Sequence, residues 1–268
     1  MQYLKLNDGA QMAQLGYGTY KIVDNATECV LNALEVGYRR IDTATLYHNE
    51  DQIGVALSQC NIPRNQLFVT EKLWTNVRSA DDVKRTVEEM LRNLQTDYLD
   101  LLLIHWPTPD SLSVWHEMEN LHRQKVAKSI GVSNFLPHHL DEIVSNSEIV
   151  PSVNQVELHP FFQQKDLRAY CKERGIVVEA WSPFMRGSAL DDKQLQTIAD
   201  KYGKTIAQII LRYDIQLGIG VVPKTTNKAR MQENFDVFDF ELSPEDMAAI
   251  AAMDQNQRRY RDPDNHGY

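Results

Sequence analysis

Short runs of apolar and β-branched residues alternate with longer amphipathic segments along the whole chain. The first two runs, 3–6 and 11–14, flank Asn7-Asp8-Gly9, and an Asp-Gly pair in that position predicts a tight hairpin. Eight later runs predict buried strands: Leu15–Gly18, Arg39–Asp42, Leu67–Thr70, Leu99–Ile104, Ala127–Val132, Ser152–Val156, Val177–Ala180 and Gly220–Val222. The segments between these runs have the length and the spacing of helices.

Polar capping residues support the helical segments. Most are followed by a partner three residues on or by a proline at the first helical position: Asn25, Ser79, Asp191, Thr205 and Ser243. Strict alternation of eight strands with helices predicts an α/β fold, a closed parallel (β/α)8 TIM barrel with the hairpin in front. Extra helices are expected before strand eight, at about 192–202 and 205–217, and near the C-terminus. No linker divides the sequence, so we expect one domain over residues 1–268.

Composition excludes several classes of protein. The formal net charge of −9 argues against nucleic acid as a partner. The three cysteines include no C-x-x-C pair, which argues against a disulfide framework or a zinc knuckle. No apolar run approaches the roughly 20 residues of a membrane helix, and the N-terminus lacks a signal-peptide stretch. We therefore expect a cytoplasmic protein without a membrane partner.

Polar side chains follow nearly every predicted barrel strand, at the end where barrel enzymes carry their active sites. Asp42 ends the second strand and Tyr47 lies in its loop, whereas Lys72 follows the third strand and His105 the fourth. A buried lysine costs several kcal/mol unless it is paired, so Asp42 is its expected partner. This pair could simply be a structural ion pair at the barrel rim.

A catalytic interpretation adds the other two side chains. The cation of Lys72 would lower the pKa of Tyr47 and make its phenol a proton donor. His105 could donate a second hydrogen bond to the same reacting oxygen. This combination suits the transfer of a proton to a carbonyl oxygen while hydride reaches the carbonyl carbon.

The segment after the eighth strand predicts an anion site. Asn227 is a predicted helix cap, which places Lys228 and Arg230 in a first turn where cations oppose the helix dipole. A bound phosphate would explain them, and a solvated basic face is the alternative. No G-x-G-x-x-G motif occurs, which excludes the Rossmann type of dinucleotide site.

The histidines do not form a recognisable metal motif. His138, His139 and His159 occur without an H-E-x-x-H or H-x-H spacing, so no catalytic metal is expected. Trp74 and Trp106 could line an apolar wall for a substrate or could pack structurally, and both interpretations remain open.

Taken together, these segments resemble the aldo-keto reductase family, closest in type to bacterial 2,5-diketo-D-gluconate and methylglyoxal reductases. The motifs that carry the resemblance are Leu15–Tyr20, Gly37–Glu50, Thr70–Trp74, Asp97–Pro107, Ile130–Phe135, Asn154–Pro160 and Val222–Asn234. They span nearly the whole chain and follow one another in the family's order, which makes the resemblance specific.

The resemblance implies a role for each matching residue. The implied catalytic set has Tyr47 as the general acid: Asp42, Tyr47, Lys72 and His105. The implied cofactor is NADPH (NADP+), and its nicotinamide half would meet Thr19, Tyr20, Ser133, Asn134, Gln155, Trp181 and Ser182. Trp181 would stack on the nicotinamide ring, where the family usually has tyrosine. The 2′-phosphate would bind Lys224, Thr225 and Arg230, and the adenine would lie near Glu233 and Asn234.

The substrate side is predicted from individual residues and loop lengths. Tyr20, Trp74 and Trp106 would line the pocket, and the brief loop after His105 predicts an open site for small aldehydes or ketones. The tail residues 258–261 could favour a carboxylate or phosphate group on the substrate. We expect a monomeric NADPH-dependent carbonyl reductase. A cofactor-sensing regulatory subunit with little turnover and a metal hydrolase barrel are the alternatives.

Overall fold

The computed structural model describes residues 1–265, which fold as a (β/α)8 barrel preceded by a β-hairpin. The strands are β1 (Tyr3–Lys5), β2 (Gln11–Ala13), β3 (Tyr17–Gly18), β4 (Arg40–Asp42), β5 (Phe68–Leu73), β6 (Leu99–Ile104), β7 (Ala127–Ser133), β8 (Val153–Glu157), β9 (Val177–Trp181) and β10 (Gly220–Val221). The helices are α1 (Ala26–Val36), α2 (Glu50–Gln59), α3 (Ala80–Leu94), α4 (Ser111–Arg123), α5 (Pro137–Asn146), α6 (Lys165–Glu173), α7 (Lys193–Tyr202), α8 (Ile206–Gln216), α9 (Lys228–Phe235) and α10 (Pro244–Ala251). Short 3₁₀ turns cover Thr45–Tyr47, Arg64–Gln66 and Met185–Asp191.

The eight strands β3 to β10 are parallel, and each one pairs with its neighbour in chain order. The two ends of this sheet meet beside β3 and β10, where Leu15 forms a parallel bridge with Val221. The amide of Gly16 donates to the carbonyl oxygen of Val221 at 2.8 Å, and the amide of Val221 donates to that of Gln14 at 2.8 Å. These bonds close the sheet into the predicted barrel.

The hairpin covers the end of the barrel where the strands begin. Its strands pair in antiparallel register, with Leu4 opposite Met12. Met12 and Leu6 are buried against Leu101 and Val153 of the barrel strands. Since apolar side chains at this end are removed from water, the hairpin stabilises the barrel and leaves the opposite end for chemistry.

Four strands run further than their apolar patterns predict, and one of them is β7, which continues past Val132 to Ser133. β5 continues past Thr70 to Leu73, with Lys72 opposite Leu103 in the ladder. β8 reaches Glu157 and β9 reaches Trp181, and these two residues are also ladder partners. Backbone pairing does not depend on side-chain polarity, so polar residues whose side chains find partners extend a strand. Several site residues therefore lie within strands rather than in the loops after them.

Most of the predicted helix caps are present. The side chains that accept a backbone amide as predicted are Ser79, Thr205 and Ser243. The cap of α7 was predicted one residue early, because Asp192 rather than Asp191 accepts the amides of Gln194 and Leu195. Asn25 precedes α1, but its side chain makes no capping bond. Both helices expected before the last strand are found, as α7 and α8.

The described part of the chain contains no helix with the length and apolar character that crossing a bilayer requires. Helix α3 instead buries one face, at Val83, Val87, Met90 and Leu94. Their spacing of three or four residues is that of a helix with a single apolar stripe.

Candidate active site

The carboxyl ends of the barrel strands bring most of the predicted site residues to one face. Asp42 ends β4, and the 3₁₀ turn that follows carries Tyr47. Lys72 is the penultimate residue of β5, and His105 directly follows β6. The remaining members come from the next three strands or directly follow them: Ser133, Asn134, Gln155, Trp181 and Ser182.

Lys72 and Asp42 form the ion pair that their strand positions predict. The Nζ atom of Lys72 lies 2.6 Å from Oδ1 of Asp42 and donates to the carbonyl oxygen of Thr43 at 2.7 Å. The lysine is fully buried and Asp42 nearly so. Removing one partner of such a pair costs about 3–5 kcal/mol, because the other charge stays buried without compensation.

The ion pair belongs to a larger buried network. Gln155 donates through Nε2 to Oδ2 of Asp42 at 2.7 Å and to Oε2 of Glu179 at 2.6 Å. Glu179 is in turn paired with Arg40, and both are fully buried. Two cations and two carboxylates are thereby linked through one neutral amide, which lets four charges remain in the barrel interior.

Tyr47 lies against this pair but does not have the lowered pKa that its position next to Lys72 predicts. Its ring centroid is 5.2 Å from Nζ of Lys72. Burial raises the pKa of the Tyr47 phenol well above its usual value, and the negative charges of Asp42 and Glu71 raise it further. Desolvation and these two carboxylates outweigh the single cation. The phenol is therefore protonated at neutral pH, which is the form that can donate a proton.

His105 faces Tyr47 from the neighbouring strand end. The two ring centroids are 5.8 Å apart, and the ring of Trp74 lies 5.0 Å from His105 on another side. Burial lowers the pKa of His105 well below its usual value, and the charge of Lys72 lowers it further. Nδ1 of this ring is buried without a hydrogen-bond partner. A neutral imidazole here can donate one N–H to a bound oxygen but carries no charge to repel Lys72.

The neutral state of His105 predicts an acid-sensitive stability. The pKa of His105 in the folded protein lies below its ordinary value of 6.5. Just below pH 6.5 the imidazole is therefore protonated in the unfolded chain but still neutral in the folded protein. The free energy of unfolding should then fall as pH decreases from 6.5 towards the folded pKa, by at most about 1.4 kcal/mol per pH unit from this one group. Urea unfolding of wild type and His105→Gln across this range measures it. Equal slopes for the two proteins would contradict the assignment.

The residues predicted around a nicotinamide carboxamide form one hydrogen-bonded cluster. Asn134 donates through Nδ2 to the carbonyl oxygen of His105 at 2.9 Å and to Oγ of Ser133 at 3.0 Å. Ser133 donates to the carbonyl oxygen of Gln155 at 2.8 Å, and Nε1 of Trp181 donates to Oδ1 of Asn134 at 2.9 Å. The indole ring of Trp181 is thus fixed at one edge by the cluster.

Gln155 and Thr19, two further predicted cofactor contacts, also have partners inside the protein. The Nε2 group of Gln155 is shared between two carboxylates, which leaves its Oε1 as the atom that could meet a ligand. The hydroxyl of Thr19 donates to the carbonyl oxygen of Asp42 at 2.9 Å, and its side chain is fully buried. Thr19 therefore joins the loop after β3 to the end of β4.

The predicted phosphate site lies at the start of α9. Asn227 caps this helix by accepting the amide of Arg230 at 3.1 Å, and its first turn holds no acidic residue. Lys224 and Arg230 are exposed there, whereas Lys228 is paired with Glu35 of α1 at 2.6 Å. Exposed cations at the positive end of a helix are the donor set that an anion would use.

The other members of this region differ in exposure. Thr225 is half-buried, and its carbonyl oxygen accepts the hydroxyl of Tyr17 at 2.6 Å. Glu233 accepts the hydroxyl of Thr205 at 2.8 Å, and Asn234 is buried. Glu233 thus contributes to the contact between α8 and α9 in this structure.

Aromatic side chains lie beside Tyr47 and His105. Tyr20 is exposed, and its ring lies 5.0 Å from that of Tyr47. Trp74 is half-buried against His105, and the half-buried Trp106 follows His105 directly in the chain. Tyr20 and Trp74 are therefore placed as an apolar wall beside the Tyr47 phenol.

Residues 254–264, here called the C-terminal strap, also reach this face. Tyr260 packs on Trp181 with ring centroids 5.1 Å apart, and its hydroxyl lies 2.8 Å from Oγ of Ser182. Residues 258–261 were predicted only to favour an anionic group on the substrate, and no packing role was predicted for Tyr260. The buried network of Arg40 and Glu179 was not predicted either, although a charged residue within an apolar strand is a usable signal for one.

Within residues 1–265, one group of three side chains of types that can bind a metal lies close together, remote in sequence from the candidate catalytic residues: His138, His139 and Asp264. Nε2 of His138 and of His139 lie 2.9 and 3.2 Å from Oδ1 of Asp264. Nδ1 of His139 accepts the amide of Leu136, so Nε2 carries the proton of the neutral ring. That tautomer favours a hydrogen bond to Asp264 over a metal ligand.

Comparison with known proteins agrees with this geometry. The sequence profile of the aldo/keto reductase family matches residues 12–255. A glyoxal reductase from Bacillus subtilis (strain 168) is 45% identical over 264 residues, which cover 97% of this chain and 96% of that protein. The methylglyoxal reductase DkgA of Escherichia coli (strain K12) is 42% identical over 273 residues, which cover 98% of each chain.

Solved structures show the same fold. The crystal structure of a mutant of Gox0644 in complex with NADPH superposes with a TM-score of 0.96 at 39% identity, over 100% of this chain and 99% of that one. The likeness therefore extends over the whole barrel, including every strand end that carries a candidate site residue.

Proposed function

Because the chain belongs to the aldo/keto reductase family, we propose that it reduces small aldehydes and ketones with NADPH, and that Tyr47 is the general acid. The observation that carries the proposal is the buried Lys72–Asp42 pair beside a protonated Tyr47, with the neutral ring of His105 facing the same phenol. The relatives' names support small dicarbonyl compounds as the substrate class, since they include a glyoxal reductase and a methylglyoxal reductase.

The residues present fit a nicotinamide dinucleotide phosphate. Trp181 offers a flat face held at its Nε1 edge, and the exposed Lys224 and Arg230 stand at a helix start whose first turn holds no acidic residue. When bound, NADPH supplies the hydride. Tyr20 and Trp74 would line the substrate's pocket, and their positions beside Tyr47 and His105 support this.

The proposed mechanism assigns one task to each side chain. The phenol of Tyr47 gives its proton to the carbonyl oxygen as the carbon becomes an alcohol, and the N–H of His105 holds that oxygen in place. After the proton has left, the cation of Lys72 stabilises the phenolate of Tyr47. Without that cation, the negative charge of Asp42 would destabilise the phenolate. Asp42 holds Lys72 in position through their 2.6 Å contact.

The direct test follows NADPH absorbance at 340 nm with methylglyoxal, glyoxal and a simple monoaldehyde as substrates. Steady consumption of NADPH with formation of the alcohol is expected, and added chelator should not change the rate. Binding of NADPH without turnover on any carbonyl would instead favour a cofactor-sensing role. Loss of activity with the chelator would favour metal chemistry.

Arg230→Ala should separate the two nicotinamide coenzymes. If Arg230 meets the 2′-phosphate, the variant should raise the Kd for NADPH by about 10- to 100-fold and hardly alter that for NADH, because a charge-assisted hydrogen bond contributes about 1.5–3 kcal/mol. Isothermal titration calorimetry with both coenzymes measures this. Arg92→Ala, which removes an exposed arginine of α3, is the control and should change neither. Equal losses for both coenzymes would refute the phosphate role.

A further inference from the structure

We propose that Tyr260 is a positioning residue for Trp181, and that Glu157 anchors the C-terminal strap that carries Tyr260. The inference rests on the proposed function, because it assumes that Trp181 is the surface on which the nicotinamide stacks. It adds two residues to the site that neither the strand ends nor the family motifs assign to cofactor binding.

Glu157 is a buried carboxylate whose partners come largely from the strap. Its Oε1 accepts the amide of Arg259 at 2.6 Å and lies 3.2 Å from Nε2 of His159, and its Oε2 accepts the amide of Tyr260 at 3.2 Å. The side chain is fully buried. A buried carboxylate without hydrogen bonds is strongly disfavoured, so the strap amides and Glu157 stabilise one another.

Other contacts hold the strap on both sides of this anchor. Gln255 donates its amide to the carbonyl oxygen of Phe161 at 2.9 Å, and Asp254 accepts the amide of Gln163 at 3.2 Å. The guanidinium of Arg258 lies 4.8 Å from the ring centroid of Phe162. At the far end, Asp264 meets His138. A segment fixed at its start, middle and end has a defined path across the barrel mouth.

Tyr260, in the middle of the strap, lies next to Trp181. Glu157 and Trp181 are ladder partners at the ends of β8 and β9, so the anchor and the indole ring are neighbours. Directly after Trp181 the backbone enters the left-handed region at Ser182, with φ of 55°, and again at Met185 and Arg186, with φ of 51° and 56°. Such conformations in residues other than glycine cost energy and persist only when surrounding contacts hold them.

Tyr260 supplies such contacts at Ser182 and Arg186. Its hydroxyl pairs with Ser182, the guanidinium of Arg186 lies 4.8 Å from its ring centroid, and its ring packs on Trp181. Trp181 is then fixed at Nε1 by Asn134 and on its surface by Tyr260. A stacking platform that is already immobilised loses less conformational entropy when a ligand binds, which favours affinity.

The first test replaces the tyrosine. Tyr260→Ala should raise the Kd for NADPH about tenfold, the equivalent of about 1.4 kcal/mol, and Tyr260→Phe should raise it less because the ring remains. Tyr170→Ala is the matched control, since Tyr170 also packs under an arginine, Arg174, and bonds to Asp141, but on the outer helices. Calorimetry on the folded proteins gives Kd, and single-turnover kinetics give the rate of hydride transfer.

The second test replaces the anchor. Glu157→Gln should speed hydrogen exchange at the amides of Arg259 and Tyr260 and raise the Kd for NADPH. Glu119→Gln is its control, because Glu119 is likewise buried and accepts two backbone amides, those of Glu148 and Ile149, at 2.8 and 2.7 Å. The control should lose stability without any change in Kd, so a purely structural effect is recognised.

The outcomes separate this inference from the proposed function. If wild type does not bind NADPH, the proposed function itself is wrong. If wild type binds and Tyr260→Ala has the same Kd and hydride-transfer rate, only the positioning role is overturned. Tighter binding by Tyr260→Ala would also overturn it, because Tyr260 would then occupy the nicotinamide's place. Equal changes in Kd for Glu157→Gln and Glu119→Gln would show that the anchor has no specific effect.

Discussion

Replacing Tyr47 by phenylalanine is expected to lower kcat for carbonyl reduction by about 10²- to 10⁴-fold, the usual contribution of a positioned general acid. The variant keeps the ring that packs against Tyr20 and His105, so the pocket should be preserved. It lacks only the proton that the carbonyl oxygen receives. Steady-state kinetics with methylglyoxal, together with calorimetric binding of NADPH, measure both properties.

The affinity of Tyr47→Phe for NADPH should match that of wild type, because the hydroxyl is proposed to act on the substrate. Tyr213→Phe serves as the control: it removes a buried hydroxyl that bonds Gln163 at 2.9 Å in the packing of α8. It should lose some stability and no activity. A Tyr47→Phe variant with normal turnover would falsify the assignment of the general acid.

Replacing Lys72 by methionine should reduce both stability and activity. The variant leaves Asp42 buried without its counter-charge, so the free energy of unfolding should fall by about 3–5 kcal/mol. Turnover should fall by at least about 100-fold, because the phenolate of Tyr47 would form next to carboxylates without a compensating cation. Chemical denaturation and steady-state kinetics measure the two effects separately.

The double variant Lys72→Met/Asp42→Asn distinguishes the structural role of the pair from its chemical role. Removing the second charge should recover much of the lost stability, since neither charge is then left uncompensated. Activity should stay low because the cation is still absent. If the double variant regained turnover along with stability, Lys72 would be a structural residue only.

The order of the barrel elements could be predicted from the sequence because each strand depends on its own apolar run. The ends of the strands were harder to predict from the sequence. Lys72, Glu157 and Trp181 continue the ladders of β5, β8 and β9 although their side chains are polar or amphipathic. Whether such a residue ends a strand depends on partners supplied by other strands, and the local pattern does not contain that information.

The same limit explains the site residues that were missed. The pairing of Arg40 with Glu179 joins β4 to β9, and it exists only because the closed barrel brings strands far apart in the chain across its interior. The wrong direction predicted for the pKa of Tyr47 has a related cause, since burial and the charge of Glu71 depend on the packed structure. Tyr260 lies in a polar tail whose docking depends on Glu157.

The closure of the barrel between Leu15 and Val221 has a consequence during synthesis of the chain. Until β10 has emerged, the β3 and β9 sides of the sheet each present unpaired amides and carbonyls, which are templates for pairing with another chain. Truncation before Gly220 would leave the same two edges open for good. Fragments of this barrel should therefore aggregate rather than fold. The unpaired edges disappear only when the last βα unit has been synthesised and has paired.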